Sequence, residues 1–218
     1  MVEYAVSDLV KEVKVLLDRN QESAGLLAPS DSDTLSQAEL IESKIVDAAR
    51  IILSDAPEDM VEGTSCTNEV TWTDSNGYYV GNMVLPTDML RILSVKAEGW
   101  NRTAEIISES DDAYKYQNCK YGVRGNPERP IAAIVHTANG KSIELYTSKK
   151  QDATLAFIYV QIPSITTEQK ISLPSVLKDA ILYMAGYLTC ISLGDTDTAI
   201  GFLGVARKLA HIVEPTTS

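Results

Sequence analysis

The spacing of apolar residues changes twice along this 218-residue chain, and that change limits the folds open to it. Val6, Leu9, Val10, Val13, Leu16 and Leu17 recur at steps of three and four, which puts one stripe on a helix. Gly25, Pro29 and the polar run Ser30-Asp31-Ser32 mark residues 20–33 as a loop. A second helical stripe follows through Ala38, Ile41, Ile45, Ala48, Ala49 and Ile52. Ser36 and Glu39 open it at capping-box spacing, each satisfying a backbone N–H of the first turn, and Pro57 closes it.

Beyond Gly63 the pattern becomes strand-like. Val70, Trp72, Tyr79 and Val80 flank Ser75-Asn76-Gly77, and Asn139-Gly140 separates residues 133–136 from 143–146. Asn-Gly suits the positive φ of hairpin turns, so both places predict hairpins. Residues 84–95, Ile106 and 155–162 supply further extended pieces, while residues 111–130 predict a long polar loop. Helix returns after Pro174, with Ser172 as the expected N-cap. Leu177, Ile181, Met184, Ala185, Leu188 and Ile191 form a third stripe. Gly194 ends it, Asp195 caps the next helix, and Ala199, Ile200, Leu203, Ala206, Leu209 and Ala210 form a fourth.

No end pair can bury its stripe alone. The expected fold is therefore α+β, a helical bundle formed by the N- and C-terminal helix pairs with an inserted antiparallel β-rich lobe. The expected divisions are residues 1–63, 64–171 and 172–213, with a tail at 214–218.

Charge narrows the function. The chain holds 30 acidic and 19 basic residues, a net of −11, and 14 of the acids lie in residues 1–63. Nucleic-acid binders show the opposite sign, because phosphate contacts need Lys and Arg. Cys66, Cys119 and Cys190 are too scattered for a zinc site or a disulfide framework. The N-terminal stretch carries acids and lysines through its apolar positions, unlike a signal peptide, and no apolar run reaches membrane-spanning length.

The search for chemistry finds little. His136 and His211 are the only histidines and stand alone, so no metal is expected. Tyr121-Gly122-Val123-Arg124-Gly125-Asn126 lacks the lysine and serine of a phosphate-binding loop and runs into Pro127, so it predicts a turn and no cofactor. The acids of residues 108–112 read as a solvated turn. No nucleophile–base pair can be assembled, and the chain is not expected to be an enzyme. What stands out is an aromatic and basic group in the middle block: Tyr78, Tyr79, Trp100, Arg102, Tyr114, Tyr116, Tyr121, Arg124 and Arg129. Tyr, Trp and Arg are the types enriched at protein–protein interfaces.

Val84-Leu85-Pro86-Thr87-Asp88-Met89-Leu90-Arg91-Ile92-Leu93-Ser94-Val95, followed by Gly99-Trp100, carries a further pattern. It is joined by Arg129-Pro130, the strand pair up to Tyr146, the exit from Tyr159 to Pro163, and the closing helix pair from Leu173-Pro174 to Ala210. In this order the elements resemble the head–tail adaptor (connector, or ring) proteins of tailed bacteriophages, including those of short-tailed crAss-like phages. The acidic N-terminal segment departs from that pattern. The resemblance implies a homo-oligomeric ring of about twelve copies with closing heterologous contacts. It implies portal and other neck or tail proteins as partners, and a channel through which DNA passes without sequence-specific binding. It also implies a place in the virion, after assembly in the host cytoplasm, away from membranes. The tail residues Glu214, Pro215, Thr216, Thr217 and Ser218 would then reach the portal. The other readings of the residues are a different neck or tail component, or a ligand-binding module that holds glycan on the tyrosines of the lobe.

Overall fold

The computed structural model describes residues 1–17, 36–75, 77–119, 124–138 and 140–213. The loop expected at 20–33, Asn76, Asn139, Tyr121 and the tail 214–218 lie outside the described residues. In chain order the elements are β1 (Val2–Ala5), α1 (Val6–Leu16), α2 (Gln37–Asp55), β2 (Thr64–Ser65), β3 (Thr71–Asp74), β4 (Tyr79–Val84) and β5 (Met89–Ala97). They continue with β6 (Glu105–Ser108), α3 (Asp112–Lys115), β7 (Ile131–Thr137), β8 (Gly140–Ser148), β9 (Leu155–Gln161), β10 (Lys170–Leu173), α4 (Lys178–Ser192) and α5 (Thr196–Leu209). The chain divides into two compact units, residues 1–62 with 162–218, and residues 63–161.

This architecture corrects the expected helical bundle with an antiparallel lobe. The fold is a strand-rich α+β, with ten strands in three sheets among the described residues and longer helices only at the ends. Two features explain the difference. The helix-bearing unit contains a sheet of its own, β1 paired antiparallel with β10 from Val2↔Leu173 to Ala5↔Lys170. Its helices also do not close a four-sided core, because α5 packs substantially on α4 alone while α4 also meets α1 and α2. Of the α5 stripe only Ala199, Ala206 and the following Ala210 are buried; Ile200 is 69% exposed and Leu209 39%. The close approach of α5 to α4 runs through Gly186, where a Cβ would sit 2.7 Å from the Phe202 ring.

Several local signals are realised. Ser36 donates its backbone N–H to Glu39 Oε2 at 2.7 Å, and its Oγ accepts from the Glu39 N–H at 3.3 Å, a complete capping box on α2. Asp195 accepts from the Thr198 N–H at 3.2 Å, just after Gly194 at φ +79°. Ser172, expected as a helix cap, lies instead inside β10, and a short 3-10 turn at Ser175–Leu177 precedes α4. Strand pairing with β1 claims Ser172 because the pairing supplies its backbone partners.

In the strand unit, β2-β9-β5 form one sheet and β3-β4-β8-β7-β6 the other. Both contribute to one apolar core: Met83, Ile143, Leu145 and Ala132 from the larger sheet, Val95, Ala97, Phe157 and Tyr159 from the smaller, with Trp100 between strands. Strand alternation sends Ala133, Val135 and Tyr146 to the opposite face, where Ile107 and Tyr114 cover them. Buried on both faces, β7 reads as a nearly unbroken apolar run, Ile-Ala-Ala-Ile-Val. The lobe is not wholly antiparallel: β6 pairs parallel with β7, from Glu105↔Ile131 to Ser108↔Ile134. A parallel pair needs a crossover, and residues 109–130 supply it; the part expected as a long polar loop, 111–130, includes the single turn of α3.

Candidate functional site

A β-turn at the end of that crossover carries the candidate site. Asn126 and Arg129 exchange backbone hydrogen bonds at 3.1 and 3.0 Å, and Asn126 Oδ1 accepts from the N–H groups of Glu128 and Arg129, both at 3.0 Å. Pro127 takes the second turn position, where its fixed φ fits. Two further backbone bonds tie the turn region to β6 and the segment before it: Asn101 N–H to Pro127 O at 2.8 Å and Glu105 N–H to Pro130 O at 2.9 Å. Gly125 abuts β7 closely, since a Cβ there would stand 2.9 Å from Ile131 Cβ. The buried amide of Gln117 bridges the crossover, accepting from Gly125 N–H at 2.9 Å and donating to Ala113 O at 2.9 Å.

This scaffold brings Arg102, Arg124 and Arg129 to one cleft of about 510 Å³, with Glu105 on its wall. Among the described residues none of the three guanidinium groups forms an ion pair, and Glu105 pairs with none of them. Arg124 lies over the Tyr146 ring, 5.7 Å from its centroid, and donates from Nη1 to Ser75 Oγ at 3.3 Å. Its buried Nε has no acceptor among the described residues. Beneath it, Tyr146 and Tyr114 both donate their hydroxyls to Glu144 Oε2, the latter at 3.2 Å. Burial first, then Glu144, raises the Tyr146 phenol well above its ordinary range, and the same causes raise Tyr114. Both tyrosines therefore act as donors that hold the carboxylate, and Arg102 and Arg129 are the exposed cations of the cleft, with Arg124 half-buried between ring and turn.

Thr147 anchors Gly125, which lines the cleft, to β8. Two residues of β8, Tyr146 and Thr147, oppose the single Val80 of β4, a bulge that leaves Thr147 at φ +59°. A β-branched residue rarely takes this conformation, which costs on the order of 1–3 kcal/mol. It is held by its hydroxyl, which donates to Gly125 O, and by its carbonyl, which accepts from Trp100 Nε1 at 3.3 Å. The bulge turns the Tyr146 ring under Arg124.

The expected interface residues thus divide. Arg102, Arg124 and Arg129 converge. Tyr78 and Tyr116 are exposed, at 43% and 50%, and Tyr79 is half-buried on β4. Tyr114 is partly buried in the Glu144 network, a supporting position. Trp100 is a correction: at 3% exposure it belongs to the core, its indole N–H spent on Thr147 O, so it offers no surface. Tyr121 and residues Glu214, Pro215, Thr216, Thr217 and Ser218 lie outside the described residues. Gln117 and Thr147 went unnoticed in the sequence. Asn126-Pro127 is a readable turn signal, but nothing local marks a buried glutamine or a bulged threonine.

Planar guanidinium forks recognise carboxylates and phosphates, which is the chemistry that the three arginines of the cleft offer. Elsewhere, His136 Nδ1 meets Glu109 Oε1 at 3.1 Å, and the His136 backbone N–H chiefly holds the Glu109 carboxyl below its usual range. Among the described residues no group of three or more His, Cys, Asp or Glu could hold a metal ion, and no helix is long and apolar enough to cross a membrane. The chain matches no protein-family model, and no curated protein shows significant similarity to it.

Proposed function

We propose that the chain is a non-enzymatic structural protein of a phage virion, a head–tail adaptor that joins the portal to the tail and surrounds part of the DNA path. One observation carries the reading: three arginines converge on one cleft and form no ion pair among the described residues, in a chain of net −11. Arginine is favoured at interface hot spots because its flat, weakly hydrated cation gives up little on desolvation. The surroundings support binding more than turnover, because the nearby titratable groups are committed to holding each other. The sequence pattern from Val84 to Trp100 points to the adaptor family in particular. An acidic chain is also compatible with a channel wall that lets DNA slide past.

The test is native mass spectrometry of the purified protein, alone and mixed with the portal of the same particle. A defined complex on the portal supports the adaptor role. A protein indifferent to the portal, but captured by another neck or tail protein, would move it elsewhere in the virion.

A further inference from the structure

Among the described residues the charges of the arginine cleft form no ion pair, in a chain rich in acids. The strand unit, residues 63–161, carries 11 acidic and 10 basic residues, whereas the other unit carries 19 acidic and 9 basic. Three of the acids of that second unit stand together at the end of one helix. Helix α2 ends with Asp55 in its last turn and no basic residue there, and Glu58 and Asp59 follow in the next turn. All three are exposed, none forms an ion pair among the described residues, and no basic residue occurs from Ile51 to Glu62. Glu62 is already engaged by the amino group of Met1. A helix C-terminus carries partial negative charge, so carboxylates there repel the helix dipole as well as each other. Arg207 and His211 line a cleft together with Asp55, so Glu58 and Asp59, one turn further on, are the carboxylates that gain most from a cation supplied by another copy.

We infer that the Arg102–Arg124–Arg129 cleft of one copy seats the acidic pair that follows α2, Glu58 and Asp59, of a second copy. The inference rests on the proposed assembly role and names the contact. Each copy presents a cationic cleft on one unit and an anionic helix end on the other, so the contact is heterologous and can propagate from copy to copy. A carboxylate partner suits the cleft better than a nucleic acid does. Glu105 on its wall and the net charge of −11 both oppose a polyanion, whereas a few carboxylates match three guanidinium groups.

The experiment is charge reversal in trans with the full-length chain, read by sedimentation equilibrium. The variants are R102E/R129E on the cleft and E58K/D59K on the helix end, all four positions being exposed. Circular dichroism and thermal melts confirm that each variant is folded. Wild type self-associates, and each variant alone associates at least about tenfold more weakly. An equimolar mixture of the two variants regains association, because each supplies the half that the other retains.

A mixture that stays monomeric, or variants that associate as wild type does, would overturn the contact. So would binding of a short DNA duplex by wild type that R102E/R129E abolishes, since the cleft would then be a nucleic-acid site. Wild type that stays monomeric but binds portal overturns this contact and leaves the adaptor role standing. Wild type that does neither removes both.

Discussion

At the scale of single residues, the cleft depends on side chains that never face solvent. Gln117 is the clearest case, because its amide closes two backbone hydrogen bonds in a buried position. Replacing it with alanine strands the Gly125 N–H, and a buried unsatisfied donor costs about 1–3 kcal/mol. Gln117→Ala should therefore lower stability by that amount in urea titration and weaken partner binding through the displaced Arg124–Arg129 turn. Full stability in the variant would mean that water replaces the amide. Gly125→Ala should also destabilise, since its Cβ would press on Ile131 at both Cβ and the backbone N. The arginines themselves were legible in the sequence as an interface type, because side-chain chemistry is local. That three of them share a cleft was not legible, because the parallel β6–β7 pairing and the turn at 126–129 bring them together. Trp100 was misplaced for the opposite reason: an amphipathic indole serves equally well in a core or at a surface, and only the sheet packing decides.

At the scale of elements, what could be read was what is specified within four or five residues. The Ser36–Glu39 box, Gly194 with Asp195, and the strands on either side of Asn139-Gly140 are of this kind. The pairing of β1 with β10 and the parallel crossover were missed because four-residue strands carry almost no periodic signal and their partners are distant in sequence. The capping box yields a pH dependence. The Ser36 backbone N–H, then its hydroxyl, holds the Glu39 carboxyl below its ordinary range. A carboxyl lowered on folding contributes stability above its unfolded value, and that contribution is lost as pH falls through the lowered folded value. In a carboxyl NMR titration Glu39 should thus titrate at lower pH in the folded protein than in an unstructured peptide. Ser36→Ala should bring it only part of the way back, because the backbone N–H remains, and should cost about 1 kcal/mol. A separate expectation concerns α5, which rests on α4 through Phe202 against Gly186 and Tyr183, the two rings 5.6 Å apart. Phe202→Ala should loosen α5 selectively, so hydrogen exchange should accelerate in residues 196–209 while α2 stays protected. Equal acceleration in both would show that the helices unfold as one.

At the scale of the whole molecule, the two units are built on different terms. The strand unit encloses its own core, drawn from both of its sheets, and its chain ends lie side by side because Thr64 pairs with Tyr159. A segment with a closed core and adjacent ends can fold without the rest of the chain. The excised fragment 63–161 should therefore unfold cooperatively in urea, retain the near-ultraviolet signal of Trp72 and Trp100, and keep the cleft. Its solubility should fall, because 11 acidic against 10 basic residues leave almost no net charge to keep copies apart. It should associate with full-length protein, whose α2 end supplies the carboxylates, more readily than with itself, since the fragment lacks Glu58 and Asp59. A fragment without cooperative unfolding would show that the strand core needs the remaining residues to form. A folded fragment that pairs with itself as well as with the full chain would place the acidic partner of the cleft within residues 63–161.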